Sequence, residues 1–151
     1  MALPPQKFRE IVFQLLYSHG FCPLTADEAI PFMMNELKVT RRAVQEAYER
    51  VQKILEFLMA LDKKIEEHSL NYAFERISEV ERTILRLGVF ELLHDEELPP
   101  KVVIAEAIRL CRKFATRESA GFVNAIMDAV YSATGRKAQG SLKNNESIVS
   151  S

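Results

Sequence analysis

Val80–Leu93, the run VERTILRLGVFELL, decides the fold. From Ile84 to Leu93 only Arg86 and Glu91 carry charge. A helix that is apolar on nearly every side needs other helices around it, because a surface helix keeps a wet half. Its start is marked as well. Ser78 and Glu81 have the spacing of a capping box, in which the serine oxygen and the glutamate each satisfy an orphan backbone N–H. Gly88 lies inside this helix, where glycine costs about 1 kcal/mol relative to alanine. Close approach of another helix accounts for it better than a ligand contact. Ile84, Leu85, Leu87, Val89 and Leu92 are therefore the expected core.

Toward the C-terminus, LHDEELPPK reads as a loop, and Pro100 fits the opening of the helix KVVIAEAIRLCRKFA. Val103, Ala107, Cys111 and Phe114 form its buried stripe, with Arg109, Arg112 and Lys113 on the other side. Between Lys101 and Arg117 stand five basic residues and one acidic residue, Glu106, a local net of +4. Ser119 is the expected cap of the last helix, with Phe122, Val123, Ile126, Ala129 and Val130 facing inward or toward a partner. Gly135 closes it. The chain then reads as one domain, residues 1–134, followed by a disordered polar tail, residues 135–151.

Toward the N-terminus, Thr40 caps a run in which Val44, Ala47, Val51, Ile54, Leu58 and Leu61 recur at helical spacing. The pattern continues through Ile65 toward Leu70, as one helix or as two broken near Asp62. Thr25 and Glu28 form a second capping box before a segment that Pro31 interrupts, which predicts a short or kinked helix. Met33 and Met34 read as gap-fillers in the core. Pro4 and Pro5 open the first helix, whose stripe is Phe8, Ile11, Val12, Leu15 and Leu16; Lys7, Arg9 and Glu10 fall on its polar side, and Gly20 ends it. No segment alternates with a period of two. The residues describe an all-α domain of six or seven helices.

Composition narrows the function. The chain has 151 residues, 48% apolar and 27% charged, enough to bury a core. No run reaches the ~20 apolar residues of a membrane span. MALPPQKFRE lacks the apolar centre of a signal peptide, so a cytoplasmic protein is expected. Cys22 and Cys111 stand far apart in no CxxC pattern. His19, His68 and His94 are scattered, and Glu28, Glu36, Glu66 and Glu67 look like solvated faces. There is no glycine-rich phosphate loop or GxSxG elbow. Ser78 with Glu81 is explained by capping. No enzyme, cofactor or metal is expected.

With a net charge of −1, nucleic-acid binding would need a local basic patch or a partner. The Lys101–Arg117 stretch is such a patch. It admits two readings, a solvated face and an RNA-binding surface on which cations hold phosphates and an aromatic stacks on an unpaired base. Phe122, close to Arg117, leads the aromatic candidates; Phe90, one turn after Arg86, is second.

These residues resemble a family. ISEVERTILRLGVFELL, LPPKVVIAEAIRLCRKFA and ESAGFVNAIMDAVY, in this order, are similar to the C-terminal half of the bacterial transcription antitermination factor NusB, and REIVFQLLYS resembles its N-terminal R-E-x-A-x-Q-x-L-Y element. The resemblance implies an all-helical fold of two small helical bundles packed together and a non-enzymatic role. It implies a heterodimer with NusE, a small-subunit ribosomal protein, that binds the boxA element of ribosomal RNA leaders. It implies action on the RNA polymerase elongation complex with other Nus factors.

Carried over residue by residue, Lys7 and Arg9 fall in the RNA-binding N-terminal segment and Tyr17 matches the L-Y tyrosine. Lys101 precedes V-x-I. Phe122 is the aromatic of F-V-N, where RNA and partner surfaces are expected to meet, and Glu118 is the acidic partner-binding position before it. Arg112, Lys113 and Arg117 join the expected RNA surface from the basic helix. Four departures stand out: PPQKFRE replaces an arginine-rich run, Ala105 stands where asparagine is usual, Ala125 replaces a glycine, and Gly121 occupies a place that is often polar or basic. They sustain a second reading, a helical protein-interaction module without specific RNA recognition. A homodimer is a further partner state. A third reading, a NusB-like domain fused to a ribosomal RNA methyltransferase, conflicts with the lack of a cofactor loop.

Overall fold

The structure, a computed structural model, describes residues 3–69 and 74–135. Its regular elements are α1 (Pro5–His19), α2 (Ala26–Leu37), α3 (Arg41–Glu56), α4 (Leu58–Glu67), a 3-10 turn at Phe74–Arg76, α5 (Glu79–His94), α6 (Pro100–Phe114) and α7 (Arg117–Ala133). No strand occurs among the described residues. The chain forms two compact units, Met1–Leu58 and Met59–Ser151. Residues 136–151 of the expected tail, and Leu70, lie outside the described residues; Gly135 closes α7 at φ +75°, the left-handed position that suits glycine.

In the N-terminal unit α3 packs on α1 and α2. α1 opens as expected, with Pro4 as its cap and Pro5 in its first turn. Ile11, Val12, Phe13, Leu15 and Leu16 are buried. Burial also takes Arg9 (5% exposed) and Glu10 (9%), which corrects their assignment to a polar, solvated side. α2 starts at the predicted capping box, where Thr25 Oγ1 accepts from the Glu28 amide (3.3 Å) and the Thr25 amide donates to Glu28 Oε1 (3.0 Å). It runs through Pro31 as a single helix of 12 residues. Ala29, Ile30 and Met33 anchor one side, while Pro31 and Asp27 face solvent. The Asp27 carbonyl that proline cannot serve is thus left on the wet side, where water can satisfy it. Phe32, on the same side, is 56% exposed. The long pattern that begins at Thr40 is two helices. The break falls at Phe57 (φ −105°, ψ 12°), five residues before Asp62.

In the C-terminal unit α5 packs on both α6 and α7, and α6 packs on α7. Ile84, Leu85 and Val89 are 0% exposed, Leu87 2% and Leu92 1%, so the predicted core is the observed one. Gly88 is the point of closest approach. A Cβ there would lie 2.5 Å from Met127 Cε and 2.9 Å from its Sδ. The glycine lets the flexible methionine side chain of α7 lie against the α5 backbone. Phe90 is core too, only 4% exposed and tilted against the His94 ring (5.2 Å), which removes it as a stacking residue.

Two networks hold α5 in place. Arg86 donates to both oxygens of Asp62 on α4, at 2.7 and 2.8 Å, and lies 3.8 Å from Glu79. Arg82 donates to Glu79 (3.1 Å) and to the carbonyls of Phe74 and Ile77 (3.2 and 2.8 Å), with its guanidinium 4.7 Å from the centre of the Phe74 ring.

Candidate nucleic-acid interface

α6 builds the basic surface. Pro99 and Pro100 start it without a side-chain cap, and Val103, Ala107, Leu110 and Cys111 bury one face. The remaining arc carries Lys101, Ala105, Arg112 and Lys113, all exposed, and Val102, 43% exposed. Lys101 and Arg112 share one line of the helix, about 16 Å apart at 1.5 Å per residue. Lys113 Nζ stands 5.7 Å from the centre of the Phe114 ring, which is half-buried.

Arg109 does not belong to the open cations. It donates from Nε to both Glu106 oxygens (3.1 and 3.2 Å) and from Nη2 to Oε1 (2.9 Å). The pair is mostly buried, with side-chain exposures of 27% and 11%. Glu106 and Arg109 cancel, so the exposed charge of the stretch is carried by Lys101, Arg112, Lys113 and Arg117. The i, i+3 spacing of the pair was visible in the sequence and was the signal for this.

The start of α7 brings Arg117, Glu118 and Phe122 to the same unit. Thr116, not Ser119, is the cap: its Oγ1 accepts from the Ser119 amide at 3.0 Å. Ser119 is buried instead, and its hydroxyl donates to Glu81 Oε2 at 2.6 Å. Glu81 Oε1 meanwhile accepts from the Ser78 amide (3.2 Å) and hydroxyl (3.1 Å). One carboxylate therefore ties the first turns of α5 and α7 together. This fixes the position from which Arg117 and Glu118, both exposed, leave the fold. Glu118 lies in the first helical turn, where the helix dipole favours an anion. Phe122, one turn on, is half-buried.

The other three predicted residues lie in the N-terminal unit. Lys7 is half-buried in the first turn of α1, and Arg9 is buried. Tyr17 is half-buried in a line of rings one helical turn apart. It stacks on Phe13 (5.8 Å, 18°) and meets Phe21 edge-on (4.9 Å, 70°). Phe21 is 64% exposed and was not singled out in the sequence, although its four-residue spacing from Tyr17 marked the line.

No group of three His, Cys, Asp or Glu residues among those described is placed to hold a metal. The Cys111 thiol is pushed up from 9.0 to about 12, first by burial and second by the nearby Glu81 charge, so it stays protonated. No helix among the described residues is long and apolar enough to cross a membrane.

Comparison with known proteins gives one answer. The NusB family pattern matches residues 6–132. The transcription antitermination protein NusB of Chlamydia pneumoniae is 34% identical over 128 residues, which cover 85% of this chain and 80% of that protein. Its counterpart in Geotalea daltonii is 36% identical over 132 residues, covering 82% and 91%. Among solved structures, T. maritima NusB aligns with TM-score 0.72 and 30% identity over 87% of this chain and 93% of that one. A chain of the complex of antitermination factors NusB and NusE with dsRNA aligns with TM-score 0.73 and 27% identity, over 85% and 96%.

Proposed function

The chain belongs to the NusB family, and on that footing we propose a transcription antitermination factor that binds RNA together with a NusE-type ribosomal protein. The observation that carries this is the match of the whole helical framework, residues 6–132, to that family. The likeness to a chain from the NusB–NusE–RNA complex supports both partners. The role is non-enzymatic and cytoplasmic. The RNA is the boxA element of a ribosomal RNA leader. Holding the transcript close to the elongating RNA polymerase, with other Nus factors, raises its effective concentration there and needs no bond chemistry.

The RNA surface is assigned to Lys101, Arg112, Lys113 and Arg117, with Phe122 as the stacking ring and Glu118 beside it toward the protein partner. On the N-terminal unit, Lys7 and Tyr17 are assigned as that unit's own RNA contacts. Arg9 is proposed only with its buried setting in view, because a cation at 5% exposure reaches a phosphate only after a rearrangement. Phosphate contacts dominate affinity for nucleic acid and make it salt-dependent.

The test is fluorescence anisotropy of a boxA RNA, with and without NusE, against a scrambled control. Selective binding that tightens with NusE is the expected result. Arg112→Ala with Lys113→Ala is expected to lower the salt slope by roughly 1.4, at about 0.7 per single-strand phosphate contact. An unchanged slope removes α6 from the RNA surface. The burial of Arg9 and the internal pairing of Arg109 favour a second reading, a protein-interaction module that binds NusE without preferring boxA. A stable NusE complex with equal affinity for boxA and scrambled RNA would select it.

A further inference from the structure

The N-terminal unit contains a cleft that none of the residues assigned above lines. Leu3, Pro5 and Phe8 from the start of α1 face Thr40, Arg42, Ala43 and Glu46 from the start of α3 across an open cleft of about 680 Å³. Small-ligand pockets typically span about 300–1,000 Å³, so the space suits one nucleotide. Its walls are chiefly apolar, and Phe8 is half-buried there. The rim is polar. Arg42 Nε donates to Glu46 Oε2 at 3.1 Å, but the two side chains are 88% and 53% exposed. Such an exposed pair contributes little, so either partner can exchange it for a ligand. Neither α1 nor α3 has an acidic residue in its first turn, and α1 has no side-chain cap. Residues from the first turns of both helices line the cleft, and no acidic side chain in those turns offsets the positive helix ends.

We propose that this cleft is a single-nucleotide RNA subsite of the N-terminal unit, selective for guanine; the proposal rests on the RNA-binding reading given above. The Phe8 ring takes a base face. Arg42 leaves Glu46 and takes the phosphate. The Glu46 carboxylate, an acceptor with two oxygens, meets the adjacent N1–H and N2–H donors of guanine. The other bases have no such pair of neighbouring donors on one edge, so the carboxylate discriminates between bases while Phe8 and Arg42 do not.

The experiment uses the full chain and two labelled pyrimidine-rich RNAs. One carries a single guanosine; the other has inosine, which lacks the N2 amino group, at that position. Wild type is expected to bind the guanosine RNA about 10-fold tighter, within the range of a bidentate base contact. In Glu46→Gln that ratio is expected to fall to near 1. Phe8→Leu keeps the apolar packing and is expected to weaken both RNAs alike by about 5-fold or more, since a stacked base is lost. A thermal melt shows that each variant is folded. A guanosine-to-inosine ratio of 1 in wild type, or one that Glu46→Gln leaves unchanged, overturns the subsite. If those RNAs still lose affinity on Arg112→Ala with Lys113→Ala, the RNA-binding reading stands without it. If wild type binds neither RNA even with NusE present, both fall together.

Discussion

The two units treat the same kinds of residue in opposite ways. In the N-terminal unit Arg42 meets Glu46 on an open helix face, and Cys22 is exposed. In the C-terminal unit Arg86 grips Asp62 with two short hydrogen bonds at side-chain exposures of 15% and 25%, and Cys111 is buried. Residue type therefore says little about energetic weight here. An arginine matters in proportion to how far its partners have been taken out of water, because removing it then strands a poorly solvated carboxylate.

The sharpest way to break this contrast is Arg86→Ala. It leaves Asp62 without its bidentate donor and is expected to cost about 3 kcal/mol in chemical denaturation, against 0.5 or less for Arg42→Ala. Equal costs would mean that burial does not separate the pairs. Next comes Glu81→Ala, which removes both a capping-box partner and the acceptor of the Ser119 hydroxyl. About 2 kcal/mol is expected, and Ser119→Ala in the same chain should then add little, since both changes break one link. Gly88→Ala follows at about 1 kcal/mol. The strain of pushing Met127 aside, about 1–3 kcal/mol, is partly offset by the helix preference of alanine over glycine. Calorimetry of Gly88→Ala with and without Met127→Leu measures that coupling; strict additivity would show that the two side chains do not compete.

The cysteines give the smallest effect under ordinary conditions, and it appears only at high pH. A thiol held at about 12 in the fold and at 9.0 when unfolded favours the folded state fully below pH 9. Above pH 9 the unfolded chain loses its proton first, so stability falls as pH rises toward 12. Cys111→Ala should flatten that fall. At pH 8, iodoacetamide should label Cys22 in the native protein and reach Cys111 only on unfolding; equal labelling would contradict the burial.

How much of this was legible depends on the range of the interaction. Both capping boxes join residues three apart, and both stand where the sequence placed them. The apolar run from Ile84 to Leu92 announced a buried helix, and Gly88 announced a close neighbour. The misreadings share a cause. Phe90 and Arg9 were placed on wet faces by counting turns, yet both are buried, since burial depends on what packs against a face. Ser119 looked like a cap because it opens an apolar run. Its actual partner, Glu81, is 38 residues away in sequence. The break at Phe57 was displaced because apolar periodicity runs through α3 and α4 alike.

The candidate site divides in the same way. The basic character of α6 could be counted from the letters, and so could the NusB-like motifs. The sequence alone thus determined the all-helical class, the two capping boxes, the core from Ile84 to Leu92 and the family, all of which rest on spacings of a few residues. Only the tertiary structure decided which cations remain open, that Glu81 serves two helix starts, and that Phe8 and Glu46 face one cleft. Those outcomes depend on surfaces from distant parts of the chain meeting and excluding water, which no local spacing encodes.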